Sequence, residues 1–312
     1  MMNAAKETFD MDAGDLEIFT AVAESGGISK AALILNTVQS NVTQRIRLLE
    51  DELGVPLFHR HSRGVTLTGA GTRLVPYAER IGHLICEAKE ALKDGPNPGG
   101  KIRIGALETA TAVRLPPLLS IFAKSFPGVD IDIKTGTSAE LTEKLLSYKL
   151  DAAFVAGPVD HPEVSTISLL KEELVLATAP EVKSFQELID TVGPAPIKVV
   201  VFRSSCSYRT RFESLLATRG LINVRSMEFG TLDGIIGCVS AGIGITFLPR
   251  AVLAPYEAAG RIALHKLQGY QADVPTILIH RSDTFMTTAL RSFIAAACNH
   301  FGAKKIKNIR RR

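Results

Sequence analysis

Four cysteines, at positions 86, 206, 238 and 298, are all that 312 residues contain, and none stands in a C-x-x-C pair. That sparsity speaks against a disulfide framework and a thiolate zinc site; reduced thiols in a cytoplasm are the expectation. The histidine spacings suggest no metal site either, and no cofactor is expected. Long apolar runs are missing too. The longest nearly uncharged stretch, Thr231–Pro249, contains Asp233 and glycines at 234, 237, 242 and 244. It reads as a helix-turn-strand unit rather than a membrane span. The N-terminal MMNAAKETFDMDAGD has no apolar segment behind a basic one, so a signal peptide is not expected. No G-x-S-x-G nucleophile elbow occurs. Gly242-Ile243-Gly244 has part of a dinucleotide fingerprint, but it follows a predicted helix and precedes a strand, the wrong order for phosphate binding. An enzyme is therefore not expected.

What is present fits a globular protein of roughly two domains, with 46% hydrophobic residues and a net charge of +4. The charge is uneven. Lys304, Lys305, Lys307, Arg310, Arg311 and Arg312 crowd the C-terminal tail, whereas Glu7, Asp10, Asp12, Asp15, Glu17 and Glu24 face only Lys6 in residues 1–27. Phosphate contacts, if made, must come from a local patch. The tail reads as a solvated charge run.

The most specific stretch runs from Ile28 to Arg63. A first helix is expected from Ser29 to about Leu35, with Ser29 as N-cap and Ala31 and Ala32 where a neighbouring helix packs close. Asn36 and Thr37 interrupt it. A second helix is expected from about Ser40 to Leu53. Val42, Ile46, Leu49 and Leu53 recur at helical spacing, and Gly54 stands where a C′ glycine belongs. The opposite face carries Asn41, Gln44, Arg45 and Arg47. Asn and Gln can pair bidentately with adenine and Arg with guanine, so this helix suits a DNA major groove. The expected DNA contacts are Ser29, Gln39, Ser40, Asn41, Thr43, Gln44, Arg45 and Arg47, with Arg60 and Arg63 of the following turn on phosphates.

The same residues carry a resemblance. Ala31-Ala32, the run Gln39-Ser40-Asn41-Val42-Thr43, the run from Leu49 to Phe58, Arg60, and Leu67-Thr68-Gly69-Ala70-Gly71 resemble the N-terminal domain of LysR-type transcriptional regulators. The likeness extends to about residue 300. It implies an α/β protein with an N-terminal winged helix-turn-helix, a long dimerising linker helix and a C-terminal two-lobed effector domain of the periplasmic-binding-protein type. The family's DNA-reading segment carries over to Ile28–Arg47 and its wing to Arg60–Thr66.

Before this block, residues 13–26 form a predicted amphipathic helix with Leu16, Phe19, Val22 and Ala23 on one face. After it, Pro56-Leu57-Phe58 anchors a short hairpin ending at Leu67, and Thr68 caps a helix over about 69–93. In that helix Leu74, Ala78, Ile81, Ile85, Ala88 and Leu92 are spaced 4-3-4-3-4. Such a heptad seam predicts pairing of two copies; packing on a core within one copy is the alternative. Pro76 is expected to kink or strain the helix.

Residues 94–100, DGPNPGG, form a linker. Beyond it strands and helices alternate. The expected order is strand Lys101–Gly105, helix Leu115–Phe126, strand Val129–Thr135, helix Ala139–Tyr148 and strand Ala152–Val155. A second set follows with strands Leu174–Thr178 and Lys198–Phe202, helix Tyr208–Arg219, strand Val224–Phe229, helix Leu232–Ala241 and strand Gly244–Phe247. Strand Thr276–His280 and helix Thr284–His300 close the fold. The alternation predicts parallel sheets in two lobes joined by two crossovers, with a cleft at the carboxyl ends of the strands. The domains are thus 11–69, 70–93, 94–100, 101–303 and a basic tail 304–312.

The expected effector contacts lie on loops facing that cleft: Glu108, Thr109, Thr137 and Ser138 from one lobe, Ser204, Ser205, Cys206, Ser207, Arg209 and Thr231 from the other. Arg203–Thr210 is a hydroxyl-rich strand-to-helix turn. Its exposed amides and helix dipole favour an anion, and Arg209 is placed to clamp a carboxylate. Ordinary N-capping by Ser205 or Ser207 is the plainer reading. Cys206 at a helix N-terminus near Arg203 and Arg209 is expected to have a lowered pKa. The peroxide-sensing members of the family use two nearby cysteines, and here none lies between Cys206 and Cys238, so a packed or ligand-lining thiol is the reading. Gly105–Thr109, Thr135–Thr137, Phe154–Pro158 and Ser205–Arg209 resemble a branch of the family that includes regulators of glutamate metabolism.

The resemblance and the residues together imply a cytoplasmic regulator. It binds double-stranded promoter DNA, forms dimers through the linker helix and tetramers through the effector domains, and answers to a small anionic metabolite. RNA polymerase is a further expected partner, and a membrane is not. The competing class is a small-molecule-binding module or enzyme without DNA function.

Overall fold

The computed structural model describes residues 11–62, 64–192, 195–202, 207–266 and 273–303. They fall into two compact units, residues 1–93 and 94–312.

The first unit opens with α1 (Ala13–Ser25). Asp12 caps it by accepting the Asp15 N–H at 2.8 Å, and Gly26 ends it in the left-handed conformation at φ 66°. Next come α2 (Ile28–Ile34) and α3 (Gln39–Leu53), then the antiparallel wing strands β1 (Phe58–His61) and β2 (Gly64–Leu67). Leu16, Phe19 and Val22 of α1, Ala31 and Ala32 of α2, and Val42, Ile46 and Leu49 of α3 meet in one core closed by Leu57 and Phe58. Two expectations change here. The N-cap of α2 is Gly27, in extended backbone, and Ser29 lies exposed inside the first turn. The glycine pair leaves α1 and re-enters a helix one residue earlier than the serine signal suggested. The apolar stripe of α3 also stops at Leu49, since Leu53 is exposed beside the Gly54 turn.

Helix α4 (Gly69–Lys93) continues through Pro76. Thr68 starts it: its hydroxyl donates to Pro56 O at 2.7 Å and accepts the Gly71 N–H at 3.0 Å. A Cβ on Gly71 would come within 2.2 Å of Leu57 O, so only glycine lets this turn approach the chain before the wing. The heptad residues divide into two groups. Leu74, Ala78 and Ile81 pack on the core of this unit, whereas Ile85, Ala88 and Leu92 are exposed, Leu92 by 89%.

The second unit begins with β3 (Gly100–Ala106), α5 (Glu108–Val113), α6 (Leu115–Ser125), β4 (Val129–Thr135), α7 (Ser138–Leu146) and β5 (Ala152–Ala156). Strand β6 (Val164–Thr178) leads to α8 (Phe185–Val192), β7 (Ile197–Val201), α9 (Ser207–Thr218), β8 (Val224–Glu228) and α10 (Leu232–Ser240). Then follow β9 (Thr246–Pro249), α11 (Arg250–Ala258), β10 (Ala263–His265), β11 (Asp273–Arg281) and α12 (Thr288–Phe301). Strands β4, β3 and β5 are parallel, as are β7 and β8. The rest departs from the parallel expectation: β11 runs antiparallel to both β5 and β6, and β9 and β10 run antiparallel to β6.

Strand β6 belongs to both lobes. Val164–Glu173 pairs with β11 and Leu174–Thr178 with β9 and β10. The first lobe encloses Phe122, Phe154 and Phe293, with Phe122 and Phe293 edge to face at 5.2 Å; the second stacks Phe212 on Phe247 at 5.4 Å. Asp94, at the head of the linker, accepts both the N–H and the hydroxyl of Thr288, at 2.9 and 2.8 Å. The linker is thereby tied to the start of α12.

Candidate DNA-reading helix and effector cleft

On α3 the core-facing stripe leaves Gln39, Ser40, Asn41, Gln44 and Arg47 exposed. Asn41 donates to Thr37 Oγ1 at 3.0 Å, and the Thr43 hydroxyl to Gln39 O at 2.9 Å. The side chains of Gln44 and Arg47 make no hydrogen bond among the described residues, so both are open to a base edge. Arg45 differs. Its Nη2 donates to Asp12 at 2.8 Å and its Nε lies 2.5 Å from Asp15, so α1 occupies the guanidinium expected to read guanine. The Asp15 N–H and the Arg45 charge hold the Asp12 carboxyl below its ordinary pKa. Glu50 Oε1 accepts the N–H groups of Leu57 and Phe58 at 2.7 and 3.1 Å, fastening the entry to the wing onto α3. Arg60 stands on the wing, exposed and 3.9 Å from Glu50. Arg63 lies outside the described residues.

In the second unit, the ends of β3, β4, β7 and β8 border a cleft of about 170 Å³. Glu108, Thr109, Thr135, Gly136, Thr137 and Glu140 line it from the first lobe, and Phe202, Tyr208, Phe229 and Gly230 from the second. The loops expected after the strands therefore do converge. Thr137 caps α7 in a reciprocal box, its hydroxyl accepting the Glu140 N–H while Glu140 Oε2 accepts the Thr137 N–H at 2.9 Å. Thr231 caps α10 beside Gly230. The Thr109 hydroxyl and the Tyr208 phenol, from opposite lobes, are 3.4 Å apart. Close to Tyr208, Arg114 makes a two-pronged bond to the buried Glu172, at 2.8 and 2.7 Å, which raises the Arg114 pKa further.

Ser138 and Ser207 border a wider, open hollow next to the cleft with Thr210 and Arg211. Ser138 Oγ accepts the Ala156 N–H at 3.1 Å, whereas Ser207 Oγ is buried and has no hydrogen bond among the described residues. Arg209 is held by Glu213, at 2.7 Å, and by Glu228, so its positive charge is already matched. Ser204, Ser205 and Cys206 lie outside the described residues. Sequence reasoning passed over Tyr208, Phe202, Phe229 and Glu140. Tyr208 and Phe202 flank the turn it singled out, which is the one signal that points to them. Among the described residues no group of acids, histidines or cysteines is placed to hold a metal.

Residues 13–72 match the bacterial regulatory helix-turn-helix protein of the lysR family, and residues 96–302 match the LysR substrate binding domain. This chain is a LysR-type transcriptional regulator. GltR of Bacillus subtilis (strain 168) is 43% identical over 293 residues, covering 93% of this chain and 97% of GltR. SoxR of Arthrobacter sp. (strain TE1826) is 40% identical over 289 residues, covering 93% and 97%. In fold it is similar to full-length CbnR complexed with its target DNA, with a TM-score of 0.64, 23% identity, and coverage of 94% of this chain and 99% of CbnR. As a LysR-type regulator it binds promoter DNA through the helix-turn-helix of its first unit and an effector through its second, and it is not an enzyme. No described helix is long and apolar enough to cross a membrane.

Proposed function

We propose that this LysR-type regulator reads its operator, in the cytoplasm, with the exposed side of α3, chiefly Gln44 and Arg47, while Arg60 and Arg63 of the wing hold phosphates. Two copies pair through Ile85, Ala88 and Leu92 of α4, and pairs of dimers join through their effector domains. A small metabolite with an anionic group enters the cleft, draws the lobes together and changes how the dimers sit on DNA and meet RNA polymerase. Any such shift is limited to the ligand's differential affinity for the two arrangements.

The observation that carries this reading is the convergence of loops from both lobes on one cleft, with α7 and α10 starting at its wall. Helix N-termini favour a negative ligand group. Binding-site selection with the full chain tests the regulator reading. The expected product is a two-half-site sequence whose footprint changes with cell metabolites; recovery of unrelated sequences would overturn it.

A further inference from the structure

The reading helix starts on an apolar side chain. At α1, α7, α10 and α12, Asp12, Thr137, Thr231 and Thr287 each accept an amide of the first turn through a side-chain oxygen. At α3 the N-cap is Val38, in extended backbone at φ −95° and ψ 150°, with no side-chain cap. The turn is held by other bonds. Val38 O accepts the N–H groups of Asn41 and Val42 at 3.1 and 3.3 Å, and Asn41 Nδ2 reaches back to Thr37 Oγ1 at 3.0 Å. A serine or threonine at 38 would add a capping bond without disturbing the winged core, because Val38 lies outside that core and is 65% exposed. A scattered surface valine needs no explanation. One that displaces a cap at the tip of the reading helix does.

Its position says what it can meet. Val38 directly precedes Gln39, Ser40 and Asn41, all exposed. Recognition helices of helix-turn-helix proteins lie in the major groove and touch base edges with their N-terminal residues. That groove displays one apolar group, the C5-methyl of thymine, which is read by apolar contact rather than by hydrogen bonds. Of the four residues from 38 to 41, Val38 alone is apolar. Its β-branched side chain is stiff at χ1, so its two methyls form a fixed surface that loses little freedom on contact.

We infer that Val38 is a specificity-determining residue, packing on the C5-methyl of a thymine in each operator half-site. The inference rests on α3 reading the operator from the major groove. It adds an apolar contact at the tip of the helix to the polar contacts along its exposed side.

The test uses the full chain and the operator recovered by binding-site selection, with each thymine replaced in turn by uracil. Uracil keeps the base pair and lacks only the methyl. One thymine per half-site is expected to lose about three- to fivefold in affinity, the worth of burying a methyl group. Val38→Ala is expected to erase that difference at that pair alone, with an unchanged melting curve. An effect of the methyl on DNA shape would instead persist in the variant. Val38→Thr, which exchanges one methyl for a capping hydroxyl, is expected to reduce the thymine preference without lowering Tm. Two results overturn the inference: every uracil is tolerated by the parent chain, or the sensitive thymine stays as sensitive in both variants. Base preferences that survive in Gln44→Ala would sink the reading by α3 itself. Preferences relaxed by Gln44→Ala, with every uracil tolerated, would sink the Val38 contact and leave that reading standing.

Discussion

Asp12 and Arg45, 33 residues apart, are joined by a 2.8 Å hydrogen bond that ties the cap of α1 to the exposed side of α3. Arg45 is therefore a brace between two helices. Arg45→Ala is expected to lower the melting temperature of the winged unit and to leave base preference nearly intact. Gln44→Ala breaks no described hydrogen bond and is expected to weaken specific binding by about 1–3 kcal/mol, relaxing preference at one base pair. Melting curves and binding-site selection on both variants check this. An Arg45→Ala protein that melts normally but loses a guanine preference would put Arg45 on the DNA.

The division of the α4 seam makes a sharper oligomer test. Ile81 packs on the winged core, so a charge there confuses folding with assembly. Ile85 and Leu92 are exposed in a single copy, so Ile85→Asp or Leu92→Asp leaves the fold in place. Pairing would bury that charge against its counterpart without a counter-ion. The expected outcome is a sedimentation shift from dimer to monomer with an unchanged circular dichroism spectrum. Unchanged assembly in both variants would exclude the seam.

Glu172 is 5% exposed and its carboxylate is matched by the two-pronged bond from Arg114. Arg114→Ala strands that buried charge, and the expected loss is roughly 3 kcal/mol by denaturant titration. Adding Glu172→Gln should recover much of it, since the remaining amide carries no charge. A single variant as stable as the parent would show that the carboxylate relaxes to water.

Two histidines set an acid limit for the effector domain. His280 is buried with Nδ1 2.7 Å from Arg281 O, and His265 Nε2 lies 2.8 Å from Thr178 Oγ1. Burial lowers both pKa values below the ordinary 6.5. Below 6.5 the unfolded chain binds protons that the folded chain refuses. The stabilisation is thus complete above about pH 6.5 and is lost as pH falls through the folded values. Tm is expected to drop between about pH 7 and about pH 5, and less steeply in His280→Asn. A flat profile in the parent would count against the buried histidines.

Periodicity and turn chemistry made most of the fold readable. The heptad spacing and the Thr68 cap marked α4 from Gly69 to Lys93, and strand-helix alternation marked the two lobes. The failures have local causes. Only the last five residues of β6 were predicted, because Lys171-Glu172-Glu173 reads as a solvated charge run until β11 and Arg114 are known to lie beside it. Helices α5, α8 and α11 have six, eight and nine residues, too short for a clear period, and α11 contains Pro255. Thr109 and Thr137 could be placed on the cleft because they closely follow strands β3 and β4. The partners of Arg45 and Arg209 were not, because Asp12 and Glu228 reach them only through the tertiary fold.

The place of β11 in the sheet of the first lobe has a consequence for synthesis. The sheet of the first lobe contains β11 and its core contains Phe293 of α12, both encoded near the end of the chain. On the ribosome the winged unit can close as soon as α4 emerges, while β3, β4 and β5 wait through nearly the whole second lobe for their last strand and helix. A nascent regulator therefore acquires its DNA-contacting surface well before it has a completed sensor. A message truncated before β11 yields a polypeptide with an intact operator-binding head and an open, apolar sheet edge at β5.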